Sequence, residues 1–207
     1  LDAENGGRFQ IVPAFAEMKT KQLYLPDTNV LLTRFLSKEG GGEITDFMPV
    51  EELYDGKELI RRVTTVRGEV HYKLRCQPRF NYARSKHTTI IRSDYEIILT
   101  SQGEDQTTLR LVSSVPLQVQ DHDVIAEFSL KANETADFLL EHVDKQHSME
   151  KNFKRFITDS LFQTVNYWKE WVAQSTYSGR WMDMVNRSAL VLKLLTSFRY
   201  GSMVAAP

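Results

Sequence analysis

The stretch that most constrains this chain lies near its end. Trp181, Met184, Val185, Ser188, Val191, Leu192, Leu195 and Phe198 recur at three- and four-residue steps, the spacing of one helical face. From Ala189 to Leu195 the run is apolar on every side except Lys193. A helix that is apolar all round needs neighbours all round, so this one calls for a larger helical body than the residues after it can build. The expectation is therefore a chain trimmed at its C-terminal end. Leu1 reads as an interior residue, which extends the same expectation to the other end.

Upstream, the pattern is of another kind. Residues 8–12, 21–25, 28–36 and 43–49 read as short strands, and 14–20 is ambiguous between a helical turn and a loop. Leu25-Pro26-Asp27-Thr28-Asn29 has turn chemistry, and Lys38-Glu39-Gly40-Gly41-Gly42 reads as a hairpin tip. Residues 59–66 and 69–77 flank Arg67-Gly68, and the second arm alternates Val70, Tyr72, Leu74 and Cys76 against His71, Lys73 and Arg75. One buried and one wet face, joined by a two-residue connection, predict an antiparallel hairpin. Strands follow at 87–92, 94–100, 107–112, 116–120, 122–131 and 135–142. Close to a dozen strands without intervening helices indicate an antiparallel β-sandwich that ends near residue 143.

Composition then changes. Residues 144–174 hold no glycine or proline, and Phe153, Phe156, Ile157, Leu161, Phe162, Val165, Trp168, Trp171 and Val172 fall at helical steps. Ser175-Thr176-Tyr177-Ser178-Gly179 ends that long amphipathic helix. The fold expected is mainly β with C-terminal helices. Its parts are a sandwich over 1–143, a linker helix over 144–176, and a last helix and loop over 177–207.

Bulk charge sets aside several partners. With 26 basic and 27 acidic residues the net charge is -1, which points to neither nucleic acid nor an anionic membrane. No apolar run approaches the ~20 residues that a membrane helix needs. The single cysteine, Cys76, excludes an internal disulfide and any cysteine-rich metal site, and favours a reducing, cytoplasmic setting. The triplets at Asn133 and Asn186 that match a glycosylation acceptor read as chance, the second because it lies on the buried helix.

No catalytic constellation stands out. The glycine triplet lacks the Gly-Lys-Ser/Thr ending of a phosphate cradle, and Asp46 with Glu51 and Glu52 reads as a solvated loop of acids. Of the acids, Asp137 and Asp183 alone border apolar runs, and Asp183 sits in a first helical turn where the dipole stabilises it. The histidines His71, His87, His122, His142 and His147 are scattered. Arg79-Phe80-Asn81-Tyr82-Ala83-Arg84 interleaves aromatic and basic side chains, a pattern that can stack on sugars. The plainer reading packs Phe80 and Tyr82 inward and pairs the arginines with acids. Trp168 and Trp171 are likewise either a sugar platform or the anchor of a helix on a sheet. No catalytic, substrate-binding or metal-ligating residue is assigned, and no cofactor.

Gly179-Arg180-Trp181, Asp183, Arg187-Ser188-Ala189-Leu190, Leu192-Lys193-Leu194-Leu195 and Gly201 through Ala205-Ala206-Pro207 resemble the segment of glycoside hydrolase family 15 that enters its barrel of paired helices. Pro78-x-Phe80-x-Tyr82-x-Arg84 resembles a segment of that family's N-terminal sandwich, with Asn81 where the family often has Asp. The resemblance implies a supersandwich, a linker helix and the first helix of an incomplete (α/α) six-hairpin barrel. It also implies an inverting glucoamylase- or trehalase-like enzyme acting on α-glucosides or oligosaccharides, with a catalytic pair carried by later barrel segments. The partners implied are that substrate, the remainder of the barrel and a possible second copy. The alternative is a non-catalytic β-sandwich that binds carbohydrate or protein.

Overall fold

Strand pairing organises the molecule into three layers. The computed structural model describes residues 6–50, 57–143, 152–197 and 200–205. Among them twelve strands occur: β1 (Arg8–Pro13), β2 (Lys19–Tyr24), β3 (Leu31–Leu36), β4 (Gly41–Phe47), β5 (Glu58–Arg67) and β6 (Glu69–Gln77) in the first half. β7 (His87–Ser93), β8 (Glu96–Ser101), β9 (Thr108–Ser113), β10 (Gln118–Gln120), β11 (Asp123–Lys131) and β12 (Thr135–His142) make up the second. They pair antiparallel into a four-stranded sheet, β1-β6-β11-β10, and an eight-stranded sheet, β2-β3-β4-β5-β12-β9-β8-β7.

The core between the sheets follows from period-two alternation. Val70, Tyr72, Leu74 and Cys76 of β6, and Val124, Ala126, Phe128 and Leu130 of β11, point inward and are buried. Val63, Leu111, Ala136 and Phe138 meet them from the large sheet. Tyr72 stacks on Phe128 with ring centroids 5.5 Å apart, and Phe128 lies 5.6 Å from Phe138.

The predicted hairpin of β5 and β6 does not form. β5 pairs with β4 and β12 in the large sheet, whereas β6 pairs with β1 and β11 in the small one. The Arg67-Gly68 connection, with Gly68 at φ 76, arches the chain from one sheet to the other. Thr65 and Tyr72 then face each other across the sandwich, their hydroxyls 3.1 Å apart. This crossing also explains the glycine triplet. A Cβ at Gly40 would meet the Arg67 carbonyl oxygen at 2.9 Å and Val70 Cγ2 at 3.0 Å, and one at Gly42 would collide with the Tyr72 hydroxyl. Close approach of the second sheet, and no phosphate, is what these positions accommodate.

A second correction concerns Tyr82. Phe80 is buried, but Asn81, Tyr82 and Ala83 take left-handed conformations (φ 48, 56 and 65) within the short turn α1 (Phe80–Ala83). That hand turns the Tyr82 ring into solvent, 91% exposed.

The long helix α2 (Phe153–Val172) opens on Asn152, whose side chain accepts from the Arg155 amide. The expected residues 144–151 lie outside those described. Ile157 packs on the outer face of the large sheet against Val30, Phe47, Ile60, Val112 and Leu139. Strands β5 and β12 are therefore buried on both faces. At the far end of α2, Trp168 and Val172 pack on Leu190 of α3 (Met182–Leu194), with Trp171 partly buried beside them. The tryptophan pair thus anchors helix to helix, where the sequence suggested helix to sheet. Phe198 and residues 206–207 lie outside the described residues.

Candidate functional site

The feature of α3 that matters is which way it faces. At 3.6 residues per turn, Asn186 and Leu190 share one side, and these are its buried residues. Trp181, Val185, Ser188 and Leu192 fall on nearly the opposite side at four-three-four spacing, a helix-packing seam with the small residues Ser188 and Ala189 within it. Trp181 is 56% exposed, Met184 64% and Leu192 48%. Trp181, Met184, Val185, Ser188, Ala189 and Leu192 line an open apolar depression of about 610 Å³.

The inward side is held by polar contacts to the loop between β2 and β3. Asn186 Nδ2 donates to Asp27 Oδ1 at 2.9 Å. Arg187 donates from one terminal nitrogen to the Thr28 carbonyl at 2.8 Å and from the other to Asn29 Oδ1, and its guanidinium lies 4.1 Å from the centre of the Tyr24 ring. Asn29 in turn donates to the Leu190 carbonyl at 3.4 Å. Asn186 is thus buried and bonded, as its chance match to a glycosylation triplet required. Asn133 sits exposed in the β11–β12 turn at φ 69.

Several carboxylates are paired elsewhere. Asp137 takes two hydrogen bonds from Arg62, at 2.6 and 3.1 Å, and Arg62 reaches Thr158 of α2 at 3.0 Å. Asp46 takes two from Arg61, at 2.8 and 3.0 Å, while Glu51 and Glu52 lie outside the described residues. Arg110 bonds Glu141, and Glu96 stands 3.8 Å away. Arg79 and Gln77 both donate to Asp123. Asp123, Glu58 and Glu141 are buried, although the sequence singled out only Asp137 and Asp183 as acids bordering apolar runs. Arg110 of β9 reaches Glu141 of β12, and Gln77 at the end of β6 and Arg79 just beyond it reach Asp123 of β11, so only the register reveals these pairings.

A general acid for glycoside hydrolysis needs a raised pKa. Asp105, Asp123 and Glu127 all move the other way. Hydrogen bonds from Thr107 and Ser101 lower Asp105, and Lys73 lowers Glu127. Burial pushes the Asp123 carboxyl up most strongly, but the bonds from Arg79 and Gln77 outweigh it and leave the group below the usual carboxylate range. The cleft of about 540 Å³ between β1 and the inner face of β2 to β4 contains Asp46, already paired with Arg61, and Gln22, already bonded to Thr33 at 3.1 Å. His87 and His122 meet edge to face at 6.5 Å, a pairing the sequence did not signal. Among the described residues no group of three or more His, Cys, Asp or Glu is arranged to hold a metal ion, and no helix is long and apolar enough to cross a membrane.

No protein-family model matches. Over the whole chain, however, a trehalase of Thermoplasma acidophilum is 32% identical and a trehalase of Thermoplasma volcanium 30%. The chain is similar to trehalases from end to end. It spans about a third of those curated relatives, 35% and 33% of their lengths. A trehalase of Mycobacterium tuberculosis is 22% identical over 98% of the chain, which covers 32% of that protein. Among solved structures, a putative kojibiose phosphorylase from the human microbiome aligns over 92% of this chain and 28% of its own, at 11% identity and a TM-score of 0.44.

Proposed function

We propose that this chain is the N-terminal portion of an inverting glycoside hydrolase of family 15 type that acts on an α-glucosidic bond, with trehalose the first substrate to test. The observation that carries the reading is the similarity to trehalases along all of the chain and about a third of theirs. In the proposed division, residues 1–143 form the sandwich, 144–176 link it, and 177–207 begin the catalytic barrel. The portion described buttresses that barrel and is not itself catalytic. Support for this role comes from the paired state of Asp46, Asp123, Asp137 and Glu141 and from the outward seam of α3, whose spacing suits a neighbouring helix. Inversion would place an acid and a base carboxyl roughly 6.5–9.5 Å apart with a water between, both in the barrel. Cys76, buried and unbonded, fits a reducing compartment, and a cytoplasmic location belongs to the same proposal.

The experiment compares the 207-residue chain with a longer protein that continues past it. The longer protein should release glucose from trehalose, with α- and β-glucose appearing in equal amounts by NMR before mutarotation (the attacked residue inverted, the leaving residue still α), and the 207-residue chain should release none. Glucose release by the short chain, or none from trehalose or maltose by the long one, rejects the reading.

A further inference from the structure

Hydrophobic burial does not account for the way α3 sits. Its inward side buries Leu190 and the polar Asn186, while the opposite side leaves Trp181, Met184 and Leu192 in solvent. A helix free to roll about its axis would exchange those faces, because the outward one carries more apolar area. Something directional holds it. We infer that Asn186 and Arg187, gripped by the turn of Asp27, Thr28 and Asn29, are positioning residues that set the roll of α3 and keep its seam facing outward.

The receptor is formed without the helix. Thr28 Oγ1 donates to the Leu25 carbonyl at 2.9 Å and accepts from the Val30 amide at 3.1 Å, and the Leu25 amide closes the loop on the Val30 carbonyl at 2.9 Å. Asp27 is held left-handed at φ 57, with its carboxylate bonded to Asn186. The grip is geometric. A planar guanidinium with two acceptors in its plane and an aromatic ring against its face is fixed about every axis, which one ammonium cannot achieve. Arg187 Nε is buried without an acceptor, so the two terminal nitrogens carry the hydrogen bonding. The contacts join residues 158 and 159 apart in sequence, tying the last helix to an early loop of the sandwich.

The test uses the 207-residue chain, and so does not depend on whether a longer protein cleaves a glucoside. Hydrogen exchange is followed separately for residues 182–194 and for β5, β6 and β12, in wild type, Arg187→Gln, Arg187→Lys, Asn29→Ala and the Arg187→Gln/Asn29→Ala pair. Exchange in 182–194 should rise at least tenfold in each single variant, Lys included, with the strands unchanged, and the pair should add little to either single change. A second readout places a thiol at Leu190→Cys. Cys76 is silent in that assay, because burial first, and the nearby Asp123 charge next, push its thiol up to about 12. Labelling at position 190 should quicken at least tenfold when Arg187→Gln is added. Full protection of 182–194 in Arg187→Gln, rescue by Arg187→Lys, additive effects in the pair, or unchanged labelling at position 190 would each overturn the inference.

Discussion

The arch between the sheets can be tested at Gly42. Gly42→Ala places a methyl group against the Tyr72 hydroxyl, with Tyr72 Cζ at 3.1 Å and Cε1 at 3.3 Å. Tyr72 cannot retreat: it is fully buried, stacked on Phe128, and hydrogen-bonded to Thr65. Overpacking of a rigid core costs about 1–3 kcal/mol. A glycine-to-alanine change in extended backbone returns about 0.4–1 kcal/mol through the unfolded state. A net loss of roughly 1–2 kcal/mol is expected. Tyr72→Phe alone removes the oxygen and strands the buried Thr65 hydroxyl, at about 1–3 kcal/mol. In the double variant the oxygen that causes the clash is gone and the ring carbon is only slightly tight. Gly42→Ala/Tyr72→Phe should therefore be less destabilised than the two single losses summed, by about 1–2 kcal/mol of coupling. Urea unfolding followed by tryptophan fluorescence measures all four proteins. Strictly additive losses would show that Gly42 and Tyr72 do not touch, and the arch as described would be wrong.

Three further outcomes are expected. Asp137→Ala leaves the half-buried Arg62 without its carboxylate partner, so a loss of about 2–3 kcal/mol, below the full cost of a buried unpaired charge, should appear in the same urea experiment. Asp123 titrates below its unfolded value, so its contribution to stability is full above about pH 4 and lost as pH falls through the folded pKa. Arg79→Met removes a main cause of that depression, so the gap in stability between wild type and variant should be widest near neutrality and close in acid. On the seam, Leu192→Glu should lower any concentration-dependent association seen by size exclusion without moving the unfolding midpoint by more than about 0.5 kcal/mol.

How much of this was legible depends on whether a local period decides the matter. The alternation of β6 and β11 names their inward residues directly, since one face is wet and the other dry. The joining of β5 to β6 is different. A hairpin and an arch share the same local signature, two strands around a glycine of positive φ, and only the distant partners β4, β12, β1 and β11 choose between them. Tyr82 fails for a related reason. Alternation from Phe80 predicts an inward ring, but three successive left-handed residues, each costing about 1–2 kcal/mol, reverse it, and no period encodes a change of hand. Glu58, Glu141 and Asp123 look like wet acids until the register brings guanidinium or amide donors to two of them, Arg110 to Glu141 and both Arg79 and Gln77 to Asp123.

The last helix shows where the two kinds of information meet. Its sequence carries a seam that a globular chain would bury, and the structure leaves that seam open while spending its polar residues on the inward side. Propensity and periodicity describe how a helix wants to be covered, whereas the Asp27, Thr28 and Asn29 turn decides which face is available for covering. If only the first mattered, Leu190 and Asn186 would not be the buried pair. Their burial follows from two adjacent side chains, Asn186 and Arg187, meeting a loop folded from residues almost 160 positions earlier. The direction in which α3 presents its apolar surface is therefore a property of the whole sandwich, and a substitution in that loop should alter it without touching the helix.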